Sequence, residues 1–257
     1  VYAYSRLTDL YGDIPYSEAG QAYISGILKP KYDAQSEIYP DLLKELEESA
    51  AALSSGISGF GAADVIYQGD QAKWKRLANS LMLRLGFRLI KVDAAASQAW
   101  VTKAISGGVM TSNDDIFFFP HDTSNNRNGN SEAFDADGNQ RLSETFVDWL
   151  QASGDPRLPV LARRRSDGST TLIDLKGLPN GLDSNTLEGA TGEASTSAFA
   201  EPNIANIGQM NAPMLFQSYA EVELLLAEAN VRWNIGGAAA AHYNAGVTAA
   251  MKMLAMY

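Results

Sequence analysis

Covalent catalysis needs reactive side chains at particular spacings, and this chain of 257 residues carries few of them. It has no Cys, which excludes a thiol nucleophile, a disulfide framework, an iron–sulfur cluster and cysteine-bound zinc. Its two His, His121 and His242, stand far apart and no HExxH occurs, so the pattern of a zinc hydrolase is missing. There is no GxxxxGK[ST], and Gly59-Phe60-Gly61 does not continue into a dinucleotide fingerprint. Gly56-Ile57-Ser58-Gly59 is one residue short of a serine-hydrolase elbow. The 30 Asp and Glu supply carboxylate pairs in abundance. A glycosidase, however, needs two of them facing one cleft at about 5–5.5 or 6.5–9.5 Å. No cofactor is expected and no catalytic residue is assigned. The formal net charge of −10 argues against nucleic acid and anionic lipid, which both select a basic face.

Residues suited to non-covalent recognition are more plentiful. Leu10-Tyr11-Gly12-Asp13-Ile14-Pro15-Tyr16-Ser17-Glu18-Ala19 leaves a helix at Gly12 and cannot resume it at Pro15. A loop there would turn Tyr16 and Tyr23 outward as platforms for the apolar faces of sugars. Ile116-Phe117-Phe118-Phe119-Pro120-His121-Asp122 runs into an amide-rich stretch from Asn125 to Asn130. Its His121, Asn126, Arg127 and Asn128 offer donors and acceptors matching vicinal hydroxyls. These six residues, Tyr16, Tyr23, His121, Asn126, Arg127 and Asn128, are the candidate carbohydrate contacts. Asp135, Asp137 and Glu144 partly follow a calcium loop, but position 1 would be Ala133, so an Asp-Gly turn is the expectation and no metal is assigned.

The elements that must position these residues are mostly helical. Apolar spacing predicts helices over 34–53, 71–91 and about 95–105, with Ser36 or Asp33 capping the first and Asp70 the second. Pro40 lies in the first turn of its helix or kinks it. On the second, Trp74, Leu77, Leu81, Leu85, Leu89 and Val92 form a stripe broad enough to be buried on several sides. A short helix is expected from Ser143 to Gln151. A hairpin is expected around Asp167-Gly168, between Leu158–Ala162 and Leu172–Asp174. Arg163, Arg164 and Arg165 beside it are expected to be exposed. Pro213 is expected to open a helix to Trp233, followed by a second over 238–256 that carries Tyr243, Val247, Ala250 and Leu254. The segments 107–142 and 177–211 are expected to be irregular. No apolar stretch approaches the roughly 20 residues of a membrane span.

Five segments together resemble the SusD/RagB family of nutrient-binding outer-membrane lipoproteins, in the family's order. They are Leu10 to Ala19; Tyr32-Asp33 through Ile38-Tyr39 to Leu42-Leu43; Gly69 to Leu81 and on to Arg84; Asp155-Pro156-Arg157-Leu158; and Glu221 to Ala229 followed by Tyr243 to Val247. The resemblance implies a mainly α fold of tetratricopeptide-like helix pairs, with a long irregular region and a small β hairpin. It implies one domain over 1–257, truncated at both ends: helical over 1–106, loop-rich over 107–212, and a helical pair over 213–257. It further implies a surface lipoprotein of the outer membrane, held by a lipid anchor outside this chain. Such a protein binds a glycan without catalysis and delivers it to a SusC-like TonB-dependent transporter. A tetratricopeptide-like scaffold for another protein is the alternative, and a secreted glycoside hydrolase a remoter one.

Overall fold

The computed structural model describes residues 1–53 and 60–257. Gly56-Ile57-Ser58-Gly59 lies outside the described residues. The chain is mainly helical and divides into two compact units, residues 1–117 with 215–250, and residues 118–214 with 251–257.

The first unit is built from α1 (Tyr2–Tyr11), a single turn α2 (Ala22–Ser25), α3 (Gln35–Ala52), α4 (Gln71–Arg88) and α5 (Ala94–Gly107). Helix α4 is its centre. Leu77, Leu81, Met82, Leu83, Leu85 and Phe87 are buried all round it, as the wide stripe predicts. Ile38, Leu42, Leu43 and Leu46 of α3 enter the same core, as do Val101 and Ala104 of α5. Gly86 lets α5 approach, because a Cβ there would stand 3.2 Å from both Trp100 Cβ and Val101 Cγ2. Asn79 is buried beside it and donates to the carbonyls of Gly107 and Gly108, at 2.8 and 2.9 Å. This ties the end of α5 back to α4. Asp70 caps α4 as expected, accepting from Lys73 N at 3.0 Å. The α3 cap is different: Ala34 stands at that position, because Asp33 spends its carboxylate on another loop. Pro40 lies beyond the first turn, inside the helix, where it costs one backbone hydrogen bond. Val92 falls outside α4 and is exposed, which ends the stripe early.

Phe117 opens β1 (Phe117–Phe119) and packs on Tyr2 and Phe216 at ring distances of 5.5 and 4.9 Å.

The second unit contains α6 (Gly129–Ala136), α7 (Glu144–Ala152), a single turn α8 (Leu158–Leu161), β2 (Ala162–Arg164), α9 (Leu187–Thr191) and β3 (Ala200–Pro202). Val147, Leu150, Leu158, Ala162, Leu175 and Ala200 form its small core. Ser143 caps α7 as the sequence predicts. Helix α6 was not expected, and Asn128 nucleates it as an N-cap. The expected hairpin is corrected: Leu158 to Leu161 is helical, and β2 pairs antiparallel with β3, Arg163 opposite Glu201. The turn at Asp167-Gly168 exists, but the chain does not return from it as a strand. Arg163 and Arg164 are corrected to half-buried, whereas Arg165 is exposed as expected; all three are ion-paired, to Glu201, to Asp167 and to Glu201 respectively.

The chain reaches its last helices through β4 (Met214–Gln217). Ser218, not Pro213, starts α10 (Tyr219–Trp233), because its hydroxyl accepts from Glu221 N at 3.1 Å. Arg84 makes paired hydrogen bonds to Glu221 and donates to the Phe216 carbonyl at 2.9 Å, fixing α10 to α4. Helix α11 (Ala239–Met253) follows the Asn234 to Gly237 break. It buries Gly246 and Ala249, and leaves Tyr243 and Val247 exposed. Gly246 is a close contact point, because a Cβ there would stand 3.0 Å from Leu224 Cγ and 3.2 Å from the Ala220 carbonyl oxygen.

Candidate functional site

Helix α1 is inverted relative to an ordinary surface helix. Its buried residues are Ser5 and Thr8, whose hydroxyls donate to the carbonyls of Tyr2 and Gly12. Three of its large apolar residues point outward, Leu7 at 43%, Leu10 at 67% and Tyr11 at 73% exposed, while Tyr2 and Tyr4 are half-buried against the core. Tyr4, Leu7 and Tyr11 follow one another at i, i+3 and i+7 and therefore share a face. With Tyr32, Pro15, Ile14 and Asp13 they line a shallow cavity of about 540 Å³. Tyr32 is also exposed, and Tyr23, at the tip of α2, is fully so. Tyr4, Tyr11 and Tyr32 around this cavity are the aromatic side chains suited to stacking on a ligand.

The loop behind this surface is held by one carboxylate. Asp33 is buried and accepts hydrogen bonds from Tyr16 N at 3.1 Å, Ser17 N at 2.7 Å and Ser17 Oγ at 2.8 Å. Its backbone bridges Ile14, and Lys31 Nζ lies 3.2 Å away. The Ser17 backbone N–H is the main cause holding the Asp33 carboxyl at about 2, against the opposing pull of burial. A carboxyl depressed below its unfolded value of about 3.9 adds stability above that value. The contribution disappears as pH falls from about 4 towards about 2. Acid titration followed by amide NMR should therefore move the Tyr16 and Ser17 signals within that window. The Asp33→Ala variant should have lost that transition.

The same anchoring turns Tyr16 inward, contrary to expectation. Its hydroxyl donates to Asp41 at 2.7 Å and its ring meets Tyr4 edge-on at 5.0 Å. Burial first, and the bond to Asp41 second, push its ionisation well above the usual phenol range. Tyr16 thus braces Tyr4 rather than offering a free face. Tyr11 and Tyr32, which do offer one, were not singled out from sequence. The signal available was their spacing on α1 and next to Asp33; hydrophobic patterning assigns such residues to a core.

The remaining candidates lie in the second unit. Asp122 organises their loop, accepting from Ser124 N at 2.7 Å and Asn126 N at 3.0 Å. His121 Nδ1 donates to the Asn126 carbonyl at 3.0 Å, and its ring lies 5.4 Å from Phe119. The Asn126 amide donates to the Pro120 carbonyl at 3.2 Å, and Arg127 pairs with Glu132 at 3.0 Å. Both side chains remain exposed. Asn128 is buried with its amide spent: Oδ1 caps α6, and Nδ2 donates to the Ala212 carbonyl at 2.9 Å. It shapes the loop and has no group left for a ligand. Among the described residues no cluster of His, Asp and Glu is placed to hold a metal, Asp135 and Asp137 included.

Residues 1–256 match the SusD-like family described as starch-binding and associating with the outer membrane. The fold superposes on a chitin-binding protein with a TM-score of 0.84 at 35% identity, covering 100% of this chain and 55% of that one. A chitin-binding SusD homologue from Flavobacterium johnsoniae gives 0.78 at 27% identity, with 98% and 50% covered. A SusD homologue from Bacteroides uniformis gives 0.80 at 28%, with 98% and 51% covered. The chain thus spans about half the length of the solved structures it matches. No curated protein matches it. Among the described residues no helix is long and apolar enough to cross a membrane.

Proposed function

Because the chain belongs to the SusD-like family, we propose that it binds glycan at the cell surface, without catalysis, for delivery to a SusC-like TonB-dependent transporter. The observation that carries this reading is the inverted helix α1, which presents Tyr11 and Leu7 beside Tyr32 while its hydroxyls face inward. Tyrosine rings stack on the apolar faces of sugar rings, and Asp13 at the cavity edge accepts hydroxyl hydrogens. Tyr23 is a further contact on the first unit in this reading, and Asn126 and Arg127 are contacts proposed for the second unit by itself, since all three stay exposed. Two similar structures are of chitin-binding proteins, so polymers of N-acetylglucosamine are the first ligand to test. Starch is the second, from the family description.

Shallow sites of this type bind in the range of about micromolar to millimolar, or about −8 to −4 kcal/mol. A neutral glycan releases no counterions, so added salt should leave binding unchanged. The test is retention of the protein on insoluble chitin and insoluble starch at low and high salt. Retention on at least one matrix, independent of salt, is expected. Flow-through on both, or elution by salt alone, contradicts the reading.

A further inference from the structure

A second cavity, of about 680 Å³, lies in the first unit among α1, α3, α4 and α5. It uses the opposite side of α1 from the tyrosine surface: Asp9 lines it, whereas Tyr4, Leu7 and Tyr11 line the other cavity. Its walls are largely apolar, from Pro40, Leu89, Val92, Ala96 and Trp100. Of its polar groups, Asp9, Tyr39 and Arg88 meet at one point, and Gln35, Ser36 and Asp93 also line it. Asp9 accepts the Tyr39 hydroxyl through one oxygen and pairs with Arg88 Nη1 through the other, at 3.0 Å. The Tyr39 side chain is buried, and burial followed by Asp9 pushes its ionisation well above the phenol range. Arg88 keeps 42% of its side chain exposed, so its fork is oriented by Asp9 while much of it faces the open side. Lys103 stands 4.4 Å over the Trp100 ring, and Glu47 neutralises it at 2.8 Å.

Asp9 and Arg88 cancel one another, and Asp93, the other charge on the lining, caps α5 through Ala96 N at 2.9 Å, so no surplus positive charge selects an anion. A purely apolar occupant would strip water from the Asp9–Arg88 pair without replacing its hydrogen bonds, which is costly. A hydroxylated ring satisfies both requirements, with one face for the apolar wall and hydroxyls for the guanidinium. An apolar cavity with a few convergent polar groups, in this size range, is the usual form of a small-ligand site. We infer that the cavity formed by Asp9, Tyr39, Arg88, Val92 and Trp100 is a second carbohydrate subsite that takes a short neutral oligosaccharide. The inference rests on the glycan-binding reading but names a separate place for it.

Trp100 supplies the readout. N,N′,N″-triacetylchitotriose and maltotriose are titrated into the Tyr11→Ala/Tyr32→Ala double variant while tryptophan emission is followed. A saturable emission change with one of them is expected, absent from the same protein carrying Trp100→Phe. Val92 is 79% exposed, so Val92→Arg obstructs the rim without disturbing the core. It should weaken the response by about tenfold or more with the melting temperature unchanged. An emission change that survives Val92→Arg and Trp100→Phe overturns the assignment. So does a silent emission when calorimetry shows the unmutated protein binding the sugar, and that result leaves the tyrosine surface intact. Absence of calorimetric binding to any glycan would overturn both readings together.

Discussion

Replacing Glu201 by glutamine is expected to destabilise the second unit by about 3–5 kcal/mol, the cost of removing one partner from a buried ion cluster. Glu201 is buried on β3 and faces Arg163 at 2.8 Å, Arg165 at 3.0 Å and Arg141 at 3.8 Å. Arg141 is itself buried, and burial lowers its affinity for a proton, which Glu201 offsets only in part and Arg165 lowers further. Without the carboxylate three guanidinium groups face one another, and the β2–β3 register loses its central pair. The measurement is urea unfolding of Glu201→Gln beside Asp167→Asn, which breaks only the exposed pair with Arg164. A large drop in midpoint for the first and almost none for the second is expected. Equal effects would mean that the cluster is solvated.

Trp74→Ala should cost about 3 kcal/mol, the lower end for removing a large aromatic, because the ring is half-buried at the edge of the core. Its indole nitrogen donates to Asp64 at 2.6 Å and its ring meets Tyr67 edge-on at 5.2 Å. Asp64 also accepts from Ile66 N, Tyr67 N and Gly69 N, at 3.0, 3.2 and 2.9 Å. Burial alone would raise the Asp64 carboxyl; the Trp74 and backbone donors outweigh it and hold the value below the usual carboxylate range. One carboxylate thus folds the turn that delivers Asp70 to cap α4. Trp74→Phe keeps the ring contact and removes only the donor, so it should recover most of the loss. Guanidinium unfolding followed by circular dichroism separates the two contributions. A loss under 1 kcal/mol for the alanine variant would mean that Trp74 stands free of the core.

The helices were legible in the sequence where a long apolar period coincides with a cap, as in α4 after Asp70 and α7 after Ser143. Local spacing carries that information. The β2–β3 pair was not legible, because Arg163 and Glu201 are brought together by tertiary packing with no turn between them to announce it. A Pro at 213 looks like a helix start, yet the hydroxyl of Ser218 is the group that satisfies the first-turn N–H. In the site, the loop carrying Tyr16 was legible, and the direction of its ring was not. That direction depends on Asp33 and Asp41, far along the chain. The outward direction of Tyr11 was not legible because an aromatic in a helical apolar pattern ordinarily belongs to a core, and α1 places its hydroxyls there instead.

Calorimetric titration of triacetylchitotriose and maltotriose into the protein and into Tyr11→Ala/Tyr32→Ala, at a fixed pH near 7, tests the central claim that the exposed tyrosines carry glycan binding. Neither ring is buried, so the melting temperature should not move. The account predicts that the unmutated protein binds one of the sugars in the range of about micromolar to millimolar. In the double variant affinity for that sugar should fall by about tenfold or more, leaving only the weaker response of the second cavity. Unchanged heats and affinity in the double variant would contradict it.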